Sequence, residues 1–285
     1  MQKKRRKNRQ PLFGPSFINM KSQQFIYQVD AFTTKPFKGN PAGVCILDHE
    51  PENDWMQNIA MEMNLSETAF VFPGIDCLII RYFTPEAEMK LCGHATLSSA
   101  HILYETDTKK DNEVIKFSSK AGELIIKKYG EWITMNFPTY SLEKIDLDHE
   151  FEKVTGTKPL ELYNAGFGWT LARMKNEKEV RKIKPDFSLM KNSRFGDVIF
   201  TAESEDPEFD FCVRCFAPAV GIDEDPVTGS AHCVLAPYWF KKSGKVDFKS
   251  HQVSKREGVL KVSLKGDRVE ISGQAKTIFK AELFV

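Results

Sequence analysis

The sequence predicts an α+β protein made of two pseudo-symmetric domains. Each domain is a strongly twisted, mostly antiparallel sheet rolled around one central apolar helix. Three observations predict this fold: a long internal repeat, one apolar helix in each copy, and many short alternating strands around each helix. A long internal repeat indicates that one structural unit occurs twice. A chain of 285 residues is also long enough for two domains.

The repeat is clearest in two arginine-containing segments. Residues 81–95 and 214–231 both contain Arg-x-Phe-x-Pro, followed by Gly-His-Ala in the first copy and Gly-Ser-Ala in the second. The arginines are 133 residues apart, whereas the glycines that follow them, Gly93 and Gly229, are 136 apart. The second copy therefore holds a three-residue insertion between Pro218 and Gly229.

The first copy begins with a strand, and apolar residues at helical spacing then indicate a short amphipathic helix. Glu67 opens the strand that follows this helix. The helix after Gly93 is apolar or small nearly all round, which is typical of a buried helix. The predicted strands lie at 25–32, 44–47, 67–72, 77–83, 113–118, 122–129 and 132–136, and the first helix lies at 55–63.

The second copy follows a linker near 138–147 and a helix at 147–155. Its central helix is expected to start at Gly229 and Ser230 and to be kinked or ended by Pro237, because proline lacks the amide hydrogen that continues a helix. The predicted strands lie at 197–203, 209–216, 246–249, 259–264, 268–273 and 277–284.

These elements divide the chain into three parts. Residues 1–20 are predicted to be a disordered basic tail, because Lys3-Lys-Arg-Arg-Lys precedes the first strand pattern. Residues 21–137 form the first repeat domain and residues 138–285 the second, with a C-terminal strand that can cross back to the first domain.

Composition excludes several classes of protein. The chain is 41% hydrophobic with a formal net charge of +1, which is typical of a globular protein and predicts no nucleic-acid partner. No run approaches the ~20 apolar residues that span a membrane. The six cysteines are scattered and no secretory signal precedes them, so we expect a cytoplasmic protein without disulfides. Cys212 and Cys215 resemble half of a zinc site, but no second half exists, so we predict no metal.

Two stretches stand out as functional candidates. The segment from Asp225 to Ser230, Asp-Pro-Val-Thr-Gly-Ser, leads into a helix whose unpaired amides suit a carboxylate or a developing negative charge. An ordinary helix cap explains the same residues. Glu67 is unusual because it opens an otherwise apolar strand, although a solvated glutamate at a strand edge explains it equally well.

Five motifs, in order, resemble those of the phenazine biosynthesis PhzF-like isomerases. The resemblance runs from about Phe25 to the C-terminus, nearly the whole chain outside the basic tail. The motifs are Gly39-Asn-Pro-Ala-Gly-Val44, Asn64-Leu-Ser-Glu-Thr68, Cys92-Gly-His-Ala-Thr96, Asp225-Pro-Val-Thr-Gly-Ser-Ala231 and Ala236-Pro-Tyr-Trp239.

The resemblance implies a diaminopimelate-epimerase-like fold, a homodimer, no cofactor and an active site between the domains. It implies that Glu67 shifts a proton within a small substrate bearing a carboxylate, with His94 and Asp225 as further catalytic residues. Gly93, Gly229 and Ser230 would then bind the substrate at the two helix starts. A carboxylate can act as base and then acid when burial raises its pKa.

Two other functions stay open. Amino-acid epimerases of this fold use two cysteines, one in each half; Cys92 matches the first, but the repeat offset places Thr228 at the second. A hydroxyl group with an ordinary pKa cannot replace a thiol as acid or base, which disfavours this reading. A non-catalytic small-molecule binding protein is the second alternative, because a fold does not determine a function.

Overall fold

The computed structural model describes residues 23–285, so the predicted basic tail lies outside the described residues. The helices are α1 (Asn53–Met63), α2 (Gly93–Glu105), α3 (His149–Thr155), α4 (Glu177–Lys182), α5 (Phe187–Lys191) and α6 (His232–Ser243). The strands are β1 (Gln24–Ala31), β2 (Asn40–Ile46), β3 (Thr68–Pro73), β4 (Leu78–Phe83), β5 (Glu88–Met89), β6 (Ile115–Ser119), β7 (Gly122–Tyr129), β8 (Trp132–Pro138), β9 (Leu142–Ile145), β10 (Glu161–Ala165), β11 (Thr170–Arg173), β12 (Val198–Glu203), β13 (Phe211–Ala217), β14 (Ile222–Asp225), β15 (Asp247–Gln252), β16 (Gly258–Lys265), β17 (Arg268–Gly273) and β18 (Ala275–Leu283).

The strand pairings are symmetric about a central pair, β8 with β17. On one side the order is β8, β7, β6, β4, β3, β2, β1 and β18; on the other it is β17, β16, β15, β13, β12, β11, β10 and β9. The short β5 and β14 pair with β4 and β13. Only four pairings in the described chain are parallel, and they fall at equivalent places in the two halves. The predicted fold class is confirmed.

The internal repeat extends to individual ion pairs. Arg81 forms two hydrogen bonds, of 2.8 and 2.7 Å, with Glu88, and Arg214 forms two, of 2.7 and 2.9 Å, with Glu224. Because the two glutamates are already 136 residues apart, the insertion lies before Glu224. It corresponds to the 3₁₀ turn Pro218–Val220.

The two central helices are buried and share one hydrophobic core. Most side chains of α2 and the first two turns of α6 are shielded from solvent. Residues of both helices belong to the same buried cluster, together with Phe117, Met135 and Ile271 from the surrounding strands. Burying apolar surface stabilises a fold by roughly 25 cal/mol per Å². This shared core therefore holds the starts of the two helices in a defined relation.

Helix α6 departs from the sequence prediction at both ends. It begins at His232, because i→i+3 hydrogen bonds first form a tight turn that includes Ser230. It also continues past Pro237 to Ser243. The proline cannot donate to the carbonyl of Cys233, four residues earlier, and that carbonyl instead accepts from the Tyr140 amide at 2.9 Å.

The segment between the halves is more ordered than a linker. Strand β9 lies within the predicted linker and pairs with β10, the first strand of the second half. The equivalent pairing at the other end joins β18 to β1, so the C-terminal strand returns to the first half. The elements between residues 161 and 191 were not predicted. None of the helices described between residues 23 and 285 is long and apolar enough to cross a bilayer.

Candidate active site

A cleft of about 950 Å³ lies between the two halves, at the starts of α2 and α6. Its size is within the range of small-molecule sites. It brings together the six residues singled out from the sequence, Glu67, Gly93, His94, Asp225, Gly229 and Ser230, with walls that include Leu91, Leu124, Phe137, Tyr140, Trp169 and Arg268.

The two helix starts meet at a pair of glycines. A Cβ atom built on Gly93 would lie 3.9 Å from the Cα atom of Gly229, and no other non-neighbouring atom would be within 4 Å. The amides of Gly93, His94, Gly229 and Ser230 have no acceptor among the described residues. Such amides, at the positive ends of two helices, form a site for a negatively charged group.

Glu67 is held at the cleft by its backbone and lies almost entirely out of water. Its carbonyl accepts from the Gly43 amide at 3.1 Å, and the residue is 9% exposed. Its Oε2 lies 3.3 Å from His94 Nε2, but no group forms a well-directed hydrogen bond with this buried oxygen. Burial raises the pKa of Glu67, opposed by hydrogen bonds from Ser66 and Cys92.

His94 is a neutral imidazole. Burial lowers its pKa to about 4, although the charge of Asp225 opposes the shift. The Asn40 Nδ2 atom lies 3.3 Å from His94 Nδ1, and donates to Asp225 Oδ1 at 2.7 Å and to the Val227 carbonyl at 2.9 Å. Because both acceptors are oxygens, the NH₂ group of Asn40, and not its carbonyl oxygen, faces the imidazole ring. A hydrogen on Nδ1 would point at this NH₂ group, so Nδ1 is the unprotonated nitrogen. Nε2 then carries the proton, and it lies 3.4 Å from Ser66 Oγ and 3.3 Å from Glu67 Oε2.

Asp225 is tied into a network of neutral side chains. Thr228 Oγ1 donates to Asp225 Oδ2 at 2.6 Å, and Gln252 Nε2 donates to the Asp225 carbonyl at 2.8 Å. Gln252 also accepts from the Thr228 amide at 2.8 Å. Burial raises the pKa of Asp225 to about 6, the charge of Glu67 adds to this rise, and the bonds from Thr228 and Asn40 limit it.

Asn40 and Gln252 are site residues that the sequence analysis did not single out. Asn40 belongs to a quoted family motif and is fully buried, which for a polar residue is a signal of a specific partner. Gln252 lies on β15 within a stretch that carries no motif, so only the structure reveals it. Ser230, which the sequence did indicate, lines the cleft, and none of the described side chains forms a hydrogen bond with its hydroxyl.

Cys92 and Thr228 occupy equivalent places, but neither resembles a catalytic thiol. Burial raises the pKa of Cys92 well above its usual range, and the charge of Glu67 raises it further. The Thr228 hydroxyl group donates its hydrogen to Asp225. The structure therefore adds to the argument against a two-cysteine epimerase.

Among the described residues, one group of potential metal ligands lies close together: Glu67, Cys92 and His94. The Cys92 sulfur is 3.4 and 3.8 Å from the two ring nitrogens of His94. The three potential ligand atoms lie within 4.8 Å of one another. Cys212 and Cys215 pack into different hydrophobic clusters. Absence of a metal stays a prediction.

Asp197 occupies in the second half the position that Glu67 has in the first. Its carbonyl accepts from the Thr170 amide at 2.9 Å, as that of Glu67 accepts from Gly43. Each acid has one buried side-chain oxygen without a hydrogen-bond partner, and burial raises the pKa of both. Asp197 is not among the residues that line the cleft. The chain therefore contains a natural control for Glu67.

Comparisons with known proteins relate the chain to one family. The model of the family described as phenazine biosynthesis-like protein matches residues 29–281. An uncharacterized isomerase of Halalkalibacterium halodurans is 46% identical over 261 residues, covering 91% of this chain and 98% of the relative. One from Pseudomonas aeruginosa is 41% identical, covering 87% and 94%. A crystal structure of a PhzF family protein from Enterococcus faecalis superposes with a TM-score of 0.88 at 40% identity, covering 92% and 100%.

Proposed function

The chain belongs to the phenazine biosynthesis-like protein family, and we propose that it is an isomerase in which Glu67 moves a proton within a small carboxylate-bearing substrate. The relatives named isomerases support the reaction class. The reaction proposed needs no cofactor, because a proton shift along a conjugated system leaves the oxidation level of the substrate unchanged.

One observation carries the proposal: a buried glutamate has an unpartnered oxygen in a cleft where two helix starts meet. Burial raises the pKa of Glu67, which brings its proton affinity closer to what is needed to accept and return a proton near neutral pH. Hydrogen bonds from Ser66 and Cys92 limit this rise in pKa and so favour the ionised form that must be present first.

The proton shift can be written in two steps. The Glu67 carboxylate takes a proton from a substrate carbon, and the electron pair of the broken C–H bond moves into the conjugated system. The Glu67 carboxylic acid then returns the proton to a different carbon on the same face. No atom is gained or lost overall, and Glu67 ends in its starting state.

The paired helix starts have the charge that the intermediate needs. As the proton leaves, negative charge spreads toward the substrate carboxylate, and the amides near Gly93 and Gly229 can bind that charge without rearranging. Ser230 offers a hydroxyl at the same place. Asp225, with a pKa of about 6, is the second group able to hydrogen-bond polar substrate atoms or to relay protons.

The test is solvent isotope exchange. The protein is incubated in deuterium oxide with conjugated carboxylic acids, and NMR spectroscopy follows the carbon-bound positions. An isomerase incorporates deuterium and forms an isomer that, in a single turnover, retains some of the original protium, because the same carboxylate carries the proton. A binding protein shifts ligand resonances but exchanges nothing, and that result would exclude the proposed activity.

Two further expectations accompany the proposal. The free cysteines of the described chain fit a reducing compartment such as the cytoplasm. A homodimer is implied by the family resemblance.

A further inference from the structure

The wall of the cleft contains an arginine that is fixed in place but has no counter-charge. Arg268 Nε donates to Asn136 Oδ1 at 2.6 Å, and Nη2 donates to the Asn136 carbonyl at 3.0 Å. No carboxylate of residues 23–285 is recorded within 4.0 Å of its guanidinium. Both Arg268 and Asn136 line the cleft.

The two repeated arginines differ from Arg268 in burial as well as in pairing, because their side chains are 14% and 12% exposed whereas Arg268 is an exposed residue. Arg81 and Arg214 are each neutralised by a glutamate through two hydrogen bonds. Arg268 is instead held by a neutral amide, which fixes the direction of the guanidinium and leaves its full charge available. A planar guanidinium so placed is well suited to bind a carboxylate or phosphate through paired hydrogen bonds.

The surrounding wall is rigid and mainly apolar. The Tyr140 amide is tied to the Cys233 carbonyl that Pro237 leaves free. A Cβ atom built on Gly166 would lie 3.1 Å from Tyr140 Cβ, so the turn before Trp169 packs closely against this tyrosine. Arg268 lines the same cleft as this closely packed wall.

Arg268 also lies near the start of α6. Burial raises the pKa of the Cys233 thiol to about 12, and the positive charge of Arg268 opposes that rise. Cys233 lines the same cleft. Arg268 and the amides proposed to hold the reacting carboxylate thus line the same cleft.

We propose that the substrate is a dianion, with a second carboxylate or phosphate group that binds Arg268. The first anionic group lies at Gly93 and Gly229, and this placement rests on the function proposed above. Binding of the second anionic group to Arg268 does not depend on any chemical step. A cleft of about 950 Å³ has room for a molecule that spans both positions. Arg268 is then a specificity-determining residue that selects for the group remote from the reacting carbons.

Binding of matched acids tests this inference without turnover. Linear dicarboxylates from succinate to suberate are titrated calorimetrically against the monoamide of each acid, which has the same length and one charge fewer. Wild-type protein should bind its preferred dicarboxylate about tenfold more tightly than the monoamide, the effect expected of one charge-assisted contact. Arg268→Gln should abolish that preference, and Arg268→Lys should restore part of it.

Lys90 supplies the matched control, since it also lines the cleft and has no ion pair within the described residues. Lys90→Gln should leave the preference unchanged. If neither a dicarboxylate nor a phosphorylated monoacid binds more tightly than its analogue with one charge fewer, or if Arg268→Gln preserves the ratio in a folded protein, the assignment is wrong. Phosphorylated monoacids that are preferred through Arg268 would support it and identify phosphate as the second group. Isotope exchange that persists when selectivity is absent would leave the proposed isomerase intact.

Discussion

Gly93 and Gly229 face each other across the cleft at equivalent positions of the repeat, and neither has a side chain to occupy the space between the two helix starts. The gap exists because both positions are glycine. Its width is set by the core that α2 and α6 share. A ligand that reaches this gap meets amides from both halves of the protein at once.

Gly93→Ala should therefore separate function from stability. The added methyl group lies at ordinary van der Waals distance from Gly229 and strains nothing, and alanine favours a helix over glycine by up to ~1 kcal/mol. The melting temperature should not fall. The methyl group occupies the proposed anion site, so KM for an exchanging substrate should rise roughly tenfold or more. Unchanged kinetics would show that the substrate carboxylate binds elsewhere.

Cys92→Ser discriminates between the two enzymatic readings. Serine can still donate a hydrogen bond toward Glu67, so the Glu67 mechanism predicts turnover within about tenfold of wild type. A mechanism that needs the Cys92 thiolate as a base predicts a loss of at least ~10²-fold. Isotope exchange with the same substrate measures the difference, and a loss of the larger size would favour the two-base epimerase.

The stability of the protein should depend on His232. Burial lowers its pKa to about 4, and both ring nitrogens are already occupied, by the Thr228 carbonyl and Ser250 Oγ. An unfolded histidine titrates near 6.5, so the unfolded state binds more protons between pH 6.5 and 4. The contribution of His232 to the free energy of unfolding is therefore full above pH 6.5 and is lost as the pH falls toward 4, by roughly 2–3 kcal/mol.

The lowered pKa of His94 likewise makes the folded state less stable as the pH falls. Asp225, whose pKa is raised to about 6, has the opposite effect, because it favours the folded state at low pH. Urea unfolding of wild type and His232→Gln at pH 7 and 4.5 measures how much His232 alone contributes to the pH dependence of the free energy of unfolding. The variant should show a smaller loss between the two pH values, and His49→Gln, at an exposed position, should behave like wild type. Identical losses in all three proteins would contradict the assignment.

The homodimer is a prediction from family resemblance. Light scattering at micromolar concentration should give a mass near twice the 32.6 kDa of the chain. A stable monomer would contradict this prediction.

Much of the fold was predictable because each element of the repeat occurs twice in the sequence, so that the pattern in one copy supports the prediction made for the other. The segment β4 to β8 has the same order and pairing as β13 to β17, and the ion pairs of Arg81 and Arg214 place the insertion. The first helix, predicted at 55–63, does end at Met63, and Asn64 follows it in the left-handed conformation. These features depend on local signals that recur in the sequence.

The missed features depend on long-range contacts. Pro237 was expected to disturb α6, but the carbonyl it leaves unpaired finds a donor in Tyr140, almost a hundred residues earlier. Gln252 reaches Thr228 and Asp225 from a strand with no motif. The short α4 and α5 are stabilised by caps and by packing against neighbouring elements rather than by a periodic pattern long enough to recognise. The six candidate residues predicted from motifs, in contrast, do line one cleft, while their roles stay a prediction.

Glu67→Gln and Asp197→Asn provide the sharpest test of the mechanism. The two acids hold equivalent backbone positions, each with a buried unpartnered oxygen, but only Glu67 lines the cleft. The inserted turn contacts the backbone beside Asp197, where the Ala219 amide donates to the Gly196 carbonyl at 3.4 Å. Both substitutions keep the shape of the side chain and remove its ability to accept and return a proton.

Glu67→Gln should lower isotope exchange and turnover by at least ~10²–10⁴-fold, the usual contribution of a general acid–base group. It should still bind ligand, because the helix starts are unchanged. Asp197→Asn should keep wild-type turnover, and its free energy of unfolding should not fall, since a neutral amide replaces a poorly solvated carboxyl group. If both variants lose activity equally, activity depends on a buried carboxylate in each half and not on the access of Glu67 to the cleft. If Glu67→Gln exchanges as fast as wild type, the proton shuttle is a different residue.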